Sequence, residues 1–411
     1  MTTVRLADPD VAEVILGQSP SSSTYNEQGA GLPFFQGKAD FGLVHPTPRV
    51  WCTAGSKFAK ANDVLLSIRA PVGDVNMATQ DAVIGRGVAA IRASCVSDSW
   101  FLYFALQFMK PVLEERATGS TFASVNGTAV RDLEIPYFSD AERRSIGQVL
   151  KLVLRQTERE SAAESVARDL KRAVMAHVFS RGLRGQVQRD TEVGPLPASW
   201  DVVAMGSVGK IGNGSTPKRT NETYWSSGTF PWLNSAKVYD RDIRAGEQFV
   251  TEAALAECHL PIVEPGAVLM AITGQGKTLG NVAVLRTRAT ISQHLAYIQA
   301  DPDRVDPDFL RAYLETQYDA LRQIASGGGS TKGALTCAFL RGLSIPLPPL
   351  AEQQEMVPIF QALDQKVSVQ LRKRALLDQL FKSLLHKIMT GEIAIQDLDL
   401  SALATDEGAA A

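Results

Sequence analysis

The feature that most constrains this 411-residue chain is an internal duplication. RDLEIPYFSDAERRSIGQVL, starting at Arg131, matches RGLSIPLPPLAEQQEMVPIF, starting at Arg341. Ile135-Pro136 falls over Ile345-Pro346, and Ala141-Glu142 over Ala351-Glu352. Upstream, LPFFQGKAD (from Leu32) aligns with FPWLNSAKV (from Phe230), and DVLLSIR (from Asp63) with AVLMAIT (from Ala267). GRGVAAI (from Gly85) aligns with SQHLAYI (from Ser292), and GST at 119–121 with GST at 329–331. Matches kept in one order point to two copies of one structural unit. Two unrelated domains with similar loop chemistry are the alternative.

Each copy reads as an α+β globule followed by a long helix. VLLSI, VAAI, AVLMAI and NVAVL are strand-length apolar runs bounded by turn residues. Phe101 to Leu113 and Phe309 to Ile324 read as one helix per copy. The boundaries that follow are globules at 1–138 and 198–348, long helices at 139–185 and 349–391, a linker at 186–197 and an acidic tail at 392–411. Ser139-Asp140 offers an N-cap to the first long helix. Its apolar positions recur at helical spacing through Ile146, Leu150, Val153, Leu170 and Val174, with Thr157, Glu160 and Glu164 interrupting the middle. The second helix repeats the pattern through Phe360, Leu363, Val367, Phe381, Leu384 and Ile388. Such a seam calls for a partner helix. A lone helix of this length, roughly 60 Å, is marginal in water. The expectation is that the two pack as an antiparallel coiled coil with pseudo-twofold symmetry.

Composition excludes several classes. The 42 Lys and Arg balance 44 Asp and Glu, so no global basic field advertises nucleic acid. The four cysteines form no CxxC pair, which argues against a zinc site and a secreted disulfide framework. Neither a signal peptide nor a membrane-length apolar run is visible, so a cytoplasmic location is expected. No catalytic, cofactor-binding or metal-ligating constellation stands out. Ala271 to Thr278, AITGQGKT, fits a relaxed phosphate-loop pattern after a strand-like run. Its continuation, LGNVAVLRT, reads as a second strand where a phosphate loop needs a helix. A P-loop nucleotide-dependent enzyme and a coiled-coil scaffold that binds no DNA remain as alternative readings.

The polar loops recur at matching places. In the first copy they carry Gln36, Lys38, Arg69, Arg86, Ser120 and Thr121; in the second, Lys218, Arg219, Asn234, Lys237, Thr273, Gln275, Lys277, Thr278, Gln293, His294, Ser330, Thr331 and Lys332. These side-chain types position phosphates and read base edges, and the intervening glycines let backbone approach closely. Solvated loops are the bland reading of any one of them. Lys277 and Arg86 suit phosphate. Gln36, Asn234, Gln275 and Gln293, each a donor and acceptor together, suit base or groove edges.

IPLPPLAEQQ (345–354) with its long helix ending in TGEI (390–393) resembles the specificity subunit of type I restriction–modification systems. So do the weaker IPYFSDAERR (135–144) ending in SRGLRG, and LPASW before the second globule. The first copy departs from the pattern, with YFSD for LPPL and ERR for EQQ. The resemblance covers essentially the whole chain. It implies two target recognition domains, each reading one half of a split sequence in double-stranded DNA, with the helices setting the spacer. It also implies two copies of a methyltransferase subunit carrying S-adenosylmethionine, and restriction–translocase subunits that use ATP and magnesium. No cofactor is expected in this chain itself.

Overall fold

The computed structural model describes residues 2–118, 123–274, 276–327 and 334–398. The chain divides into two compact units, Met1–Ala162 with Leu371–Ala411, and Ala163–Gln370. Each unit holds one globule together with a stretch of both long helices.

The first globule is built on an antiparallel sheet in the order Ala12–Leu16, Val88–Ala93, Val64–Ser67, Val75–Met77. Its strands are apolar runs and not alternating ones, because both faces are covered. Val64 and Leu66 pack with Phe101, Leu102 and Phe104 of the helix Ser99–Phe108. Leu65, between them, points the other way onto Phe35 and Ile84. Phe35 and Ile84 belong to a second sheet, in which Leu32–Phe35 pairs parallel with Ala82–Ile84.

The second globule repeats this arrangement. Its sheet runs Gly209–Asn213, Leu295–Ala300, Val268–Ala271, Val282–Leu285, Asp242–Ile243. Val268 and Met270 face Phe309 and Leu310, while Leu269 faces Leu233 and Ile291. Phe230–Leu233 again pairs parallel with Thr290–Ile291. The aligned Ile135 and Ile345 sit on equivalent two-stranded ladders, opposite Val4 and Val203. The fold is therefore a tandem α+β duplication, each copy followed by its long helix.

One expectation needs correction. Each reading of a single helix breaks in two: Ser99–Phe108 then Lys110–Glu115, and Pro307–Thr316 then Tyr318–Gly327. In the first case Pro111 has no N–H to continue the ladder. The linker segment forms a hairpin pairing Gln188–Thr191 with Gly194–Pro197.

The long helices span Asp140–Arg181 and Leu350–Met389. Ser139 and Glu142 close a capping box: the Ser139 N–H and hydroxyl donate to Glu142 Oε2 at 2.9 and 2.6 Å, and Glu142 N–H donates back to Ser139 Oγ. The Ser139 hydroxyl and N–H hold the Glu142 carboxyl below its usual pKa. In the second unit, Lys171 Nζ lies 2.6 Å from Asp364 Oδ1, the Phe179 and Phe360 rings stack at 5.2 Å, and Arg184 meets Glu355 at 2.7 Å. Numbers rise along one partner as they fall along the other, so the pairing is antiparallel. In the first unit Ile146, Leu150 and Val153 share a core with Leu384, Ile388 and Met389.

Phe360 and Val367 are buried, Val174, Leu363 and Phe381 half-buried, and Leu170 exposed. The seam reaches Ala167, then steps to Lys171, Met175 and Val178, all buried. A lysine is tolerated there because Glu315 and Asp364 each come within 2.6 Å of its ammonium. Two of the three polar residues that interrupt the seam are buried too: Thr157 donates to the Val153 carbonyl, and Glu164 accepts from Arg168.

The Glu-Gln and Glu-Arg pairs fasten each helix to its own globule. Glu352 accepts from Trp200 Nε1 at 3.0 Å and from Gln186 Nε2 at 2.8 Å. Fully buried Gln353 accepts from Asp306 N–H and donates to the Arg304 and Pro348 carbonyls. Arg143 stands at the Gln353 position in the first copy. It donates to the Asp98 carboxylate at 2.7 Å and to the Phe138 carbonyl at 3.0 Å. The ERR variant thus replaces an amide-to-backbone clasp by a buried ion pair.

The helix–globule junctions differ more deeply beside this clasp. In the second unit Arg311, Glu315, Asp364, Lys171 and Arg241 form one ion cluster. By the repeat offsets, the first four take the places of Tyr103, Gln107, Leu154 and Phe381. There, Phe381 packs on Phe104 with ring centres 5.8 Å apart. One junction is ionic and the other aromatic.

Candidate nucleic-acid interface

In the first unit four loops meet at one end of the central sheet. Gly17 N–H donates to Val88 O, Gln18 N–H to Ile84 O, Gly85 N–H to Phe35 O and Ile68 N–H to Gly87 O. Buried Asp40 shapes the Gln36 loop by accepting from the N–H groups of Gln36 and Gly37. A Cβ at Gly87 would lie 2.2 Å from the Gln36 carbonyl oxygen, so the close approach of these loops requires glycine there. Gln36, Arg69 and Arg86 are brought together and exposed. Their side chains make no hydrogen bond or ion pair among the described residues. Lys38 is less free: it faces Asp74 at 3.4 Å and the Phe41 ring at 5.9 Å. Ser120 and Thr121 lie outside the described residues.

The second unit gathers the equivalent loops. Ser215 N–H donates to Ile291 O, Ser292 N–H to Leu233 O, and Ile272 N–H to His294 O. A Cβ at Gly214 would collide with the Ile291 carbonyl at 1.8 Å. Thr216 bonds Gln293, and Thr273 Oγ1 bonds His294 Nδ1 at 2.5 Å. Asn234 spends its carbonyl on Ala236 N–H, which leaves its amide N–H groups to donate. Lys218 and Lys277 are exposed cations without an ion-pair partner among the described residues. Thr278 shares a hydrogen bond with Tyr239, a half-exposed ring that sequence reading missed because it follows no polar-loop pattern.

Two candidates are otherwise engaged. Lys237 is bound by Asp240 and, at 3.0 Å, by Glu247; hydrogen bonding to those carboxylates pushes its pKa up. Arg219 lies over the Trp225 and Trp232 rings at 4.0 and 4.6 Å, which makes it a packed arm more than a free cation. Gln275, Ser330, Thr331 and Lys332 lie outside the described residues.

The phosphate-loop alternative fails on geometry. After Lys277 the chain turns straight into the strand Val282–Leu285, with no helix N-terminus to face a phosphate. The Gly276 carbonyl accepts from Arg322, and the Lys277 carbonyl from Tyr318 and Asn281. Among the described residues no group of His, Cys, Asp or Glu is arranged to hold a metal ion. No helix there is long and apolar enough to cross a membrane.

A second kind of surface lies on the long helices, one patch in each unit. Val166 and Leu170 on the first, and Leu376 and Leu380 on the second, are large apolar side chains exposed to solvent. They are repeat equivalents, each 210 residues apart. Carrying the repeat offset down the helices would have found them; apolar periodicity alone placed Leu170 in the seam.

The type I restriction modification DNA specificity domain matches residues 4–165 and again 197–380. The type I restriction enzyme MjaIX specificity subunit of Methanocaldococcus jannaschii is 22% identical over 405 residues, covering 95% of this chain and 93% of that one. A specificity-subunit sequence designated MjaX from the same organism is 37% identical over 151 residues, 36% of each chain. Among solved structures, the S subunit of a type I restriction–modification system from M. genitalium superposes with a TM-score of 0.63 at 16% identity, covering 94% and 96% of the two chains. A chain from a structure describing assembly and conformational transition of the type I R-M system gives 0.56 at 20% identity, covering 95% and 98%. With the domain matched in both halves and the duplicated fold shared along nearly its full length, this chain belongs to the type I restriction–modification DNA specificity family.

Proposed function

We propose that this chain reads DNA for a type I restriction–modification complex and catalyses nothing itself. Each globule reads one half of a split target in double-stranded DNA. The observation that carries the reading is the recurrence of one polar loop cluster at the same sheet end in both units. Phosphate contacts from Arg69, Arg86, Lys218 and Lys277 would position the protein, and Gln36, Asn234 and Gln293 would read groove edges. The antiparallel helices suit a spacer of set length.

The repeated pairs Val166/Leu170 and Leu376/Leu380 support docking of two copies of one methyltransferase subunit. That partner would bring S-adenosylmethionine, and restriction–translocase subunits would bring ATP and magnesium. The reading places the complex with its DNA in the cytoplasm. Electrophoretic binding of the chain assembled with its methyltransferase is the test, run with cognate and random duplexes at two salt concentrations. Tight, salt-sensitive binding to a cognate site is expected. Salt-insensitive or absent DNA binding would favour a scaffold, and ATP turnover by the purified chain alone would overturn the non-catalytic assignment.

A further inference from the structure

One cavity in the first unit is used neither by the loop cluster nor by the helix seam. It encloses about 290 Å³ between the globule and the first long helix. Its floor is apolar and buried, from Val44, Met77 and Ala78, and Trp100 forms a wall. Asn62 and Thr79 bring an amide and a hydroxyl to the exposed rim. Lys151 and Arg155, one helical turn apart, both line it. Lys151 Nζ stands 4.5 Å from the centre of the Trp100 ring.

Neither cation has an ion-pair partner among the described residues. Glu158 lines the same cavity without reaching either. Like charges at this helical spacing repel, and burial first, then the charge of Arg155, push the Lys151 pKa down. Helix packing does not demand these cations: at the equivalent places the second helix carries Gln361 and Gln365. Trp100 corresponds there to Asp308, which is paired with Arg286. The first unit therefore sets two cations without ion-pair partners, with one carboxylate at Glu158, around an apolar, aromatic-walled hollow, and neither the cations nor the tryptophan recur at the equivalent places of the repeat.

The geometry points to a binding site for one small organic anion, a phosphate or carboxylate, held between Lys151 and Arg155 with its apolar body against Trp100. The volume lies at the lower end of the roughly 300–1,000 Å³ usual for small-ligand sites, which suits a single ring bearing one anionic group. This site is separate from DNA reading.

The full chain, assembled with its methyltransferase, is titrated with phenyl phosphate, benzoate and inorganic phosphate, and followed by calorimetry and tryptophan fluorescence. Saturable binding of phenyl phosphate or benzoate, tighter than that of inorganic phosphate, is expected. The Lys151→Gln/Arg155→Gln variant adopts the residues the second helix already tolerates, so it should melt like the wild type. It should bind the ring-bearing anion about ten- to a hundredfold more weakly, from loss of charge-assisted contacts. Trp100→Leu should weaken phenyl phosphate and leave inorganic phosphate unchanged. Failure of all three anions to saturate at millimolar concentration overturns the proposal, as does a double variant that binds like the wild type. A double variant that instead loses the methyltransferase, with no small anion bound by the wild type, would assign the cations to the protein partner and equally overturn it. The target sequence should not change in any arm, so the outcome is independent of the DNA-reading assignment.

Discussion

The repeated apolar pairs on the long helices give the sharpest quantitative expectation. Val166 and Leu376 are both 66% exposed, Leu170 42% and Leu380 47%. Burying such a side chain completely is worth about 1.5–3 kcal/mol. Covering the fraction now in water would contribute about 0.6–2 kcal/mol per residue, or about 2–3 kcal/mol per pair. That is roughly a 30- to 150-fold change in dissociation constant. The perturbation is Val166→Ser/Leu170→Ser, its equivalent Leu376→Ser/Leu380→Ser, and all four together. Solvent-facing sites of this kind usually shift stability by less than about 0.5 kcal/mol each, so the fold should survive. Native mass spectrometry is run at a methyltransferase concentration that saturates the wild type but lies below the weakened constant. The wild type should carry two partners, each pair variant one, and the fourfold variant none. A pair variant that keeps both partners, or sheds both together, would refute the assignment of two equivalent docking faces.

Three further outcomes follow from the geometry. Arg143→Met strands the Asp98 carboxylate in a buried site and should cost about 3–5 kcal/mol in chemical denaturation, whereas Arg143→Gln with Asp98→Asn, the neutral clasp, should cost less. Burial alone would raise the Asp364 pKa, but Arg241, Lys171 and Arg311 outweigh it and hold it below the ordinary 3.8. A carboxyl depressed in the folded state contributes stability that is complete above its unfolded pKa and lost as pH falls through the folded one. The stability gap between wild type and Asp364→Asn should accordingly be level near neutral pH and shrink in acid; a gap that instead shrinks as pH rises would contradict the cluster. Lys277→Ala and Arg86→Ala should each weaken cognate and random DNA alike and lower the salt slope by about one contact, while Lys237→Ala, whose ammonium already serves Asp240 and Glu247, should leave the slope unchanged.

The duplication, the strands and the two long helices were legible because they are written in local patterns. Val64–Ser67 and Val268–Ala271 announce themselves as short apolar runs, and Ile135-Pro136 and Ile345-Pro346 mark the same ladder twice. What periodicity missed was decided by partners distant in the chain. Lys171 displaces Leu170 from the seam only because Asp364 and Glu315 meet it. Arg143 performs the task of Gln353 only because Asp98 lies beside it. The break at Met109 was visible in Pro111, but the apolar run through Phe101 and Leu113 hid it. The candidate loops were readable as a set. Their individual freedom was not, since Lys237 and Arg219 look like Lys277 in sequence yet are held by carboxylates and by indole rings.

Methylation mapping of DNA modified by exchange variants tests the central claim most directly. Residues 1–138 are replaced by the corresponding segment of another specificity subunit, and separately residues 198–348. Each assembled complex is then allowed to modify the same genome. Two autonomous readers predict that the first exchange changes one half of the split motif and the second exchange the other half, with the spacer kept in both. A single exchange that alters both halves, or exchanges of both segments that leave the motif unchanged in active complexes, would contradict the account.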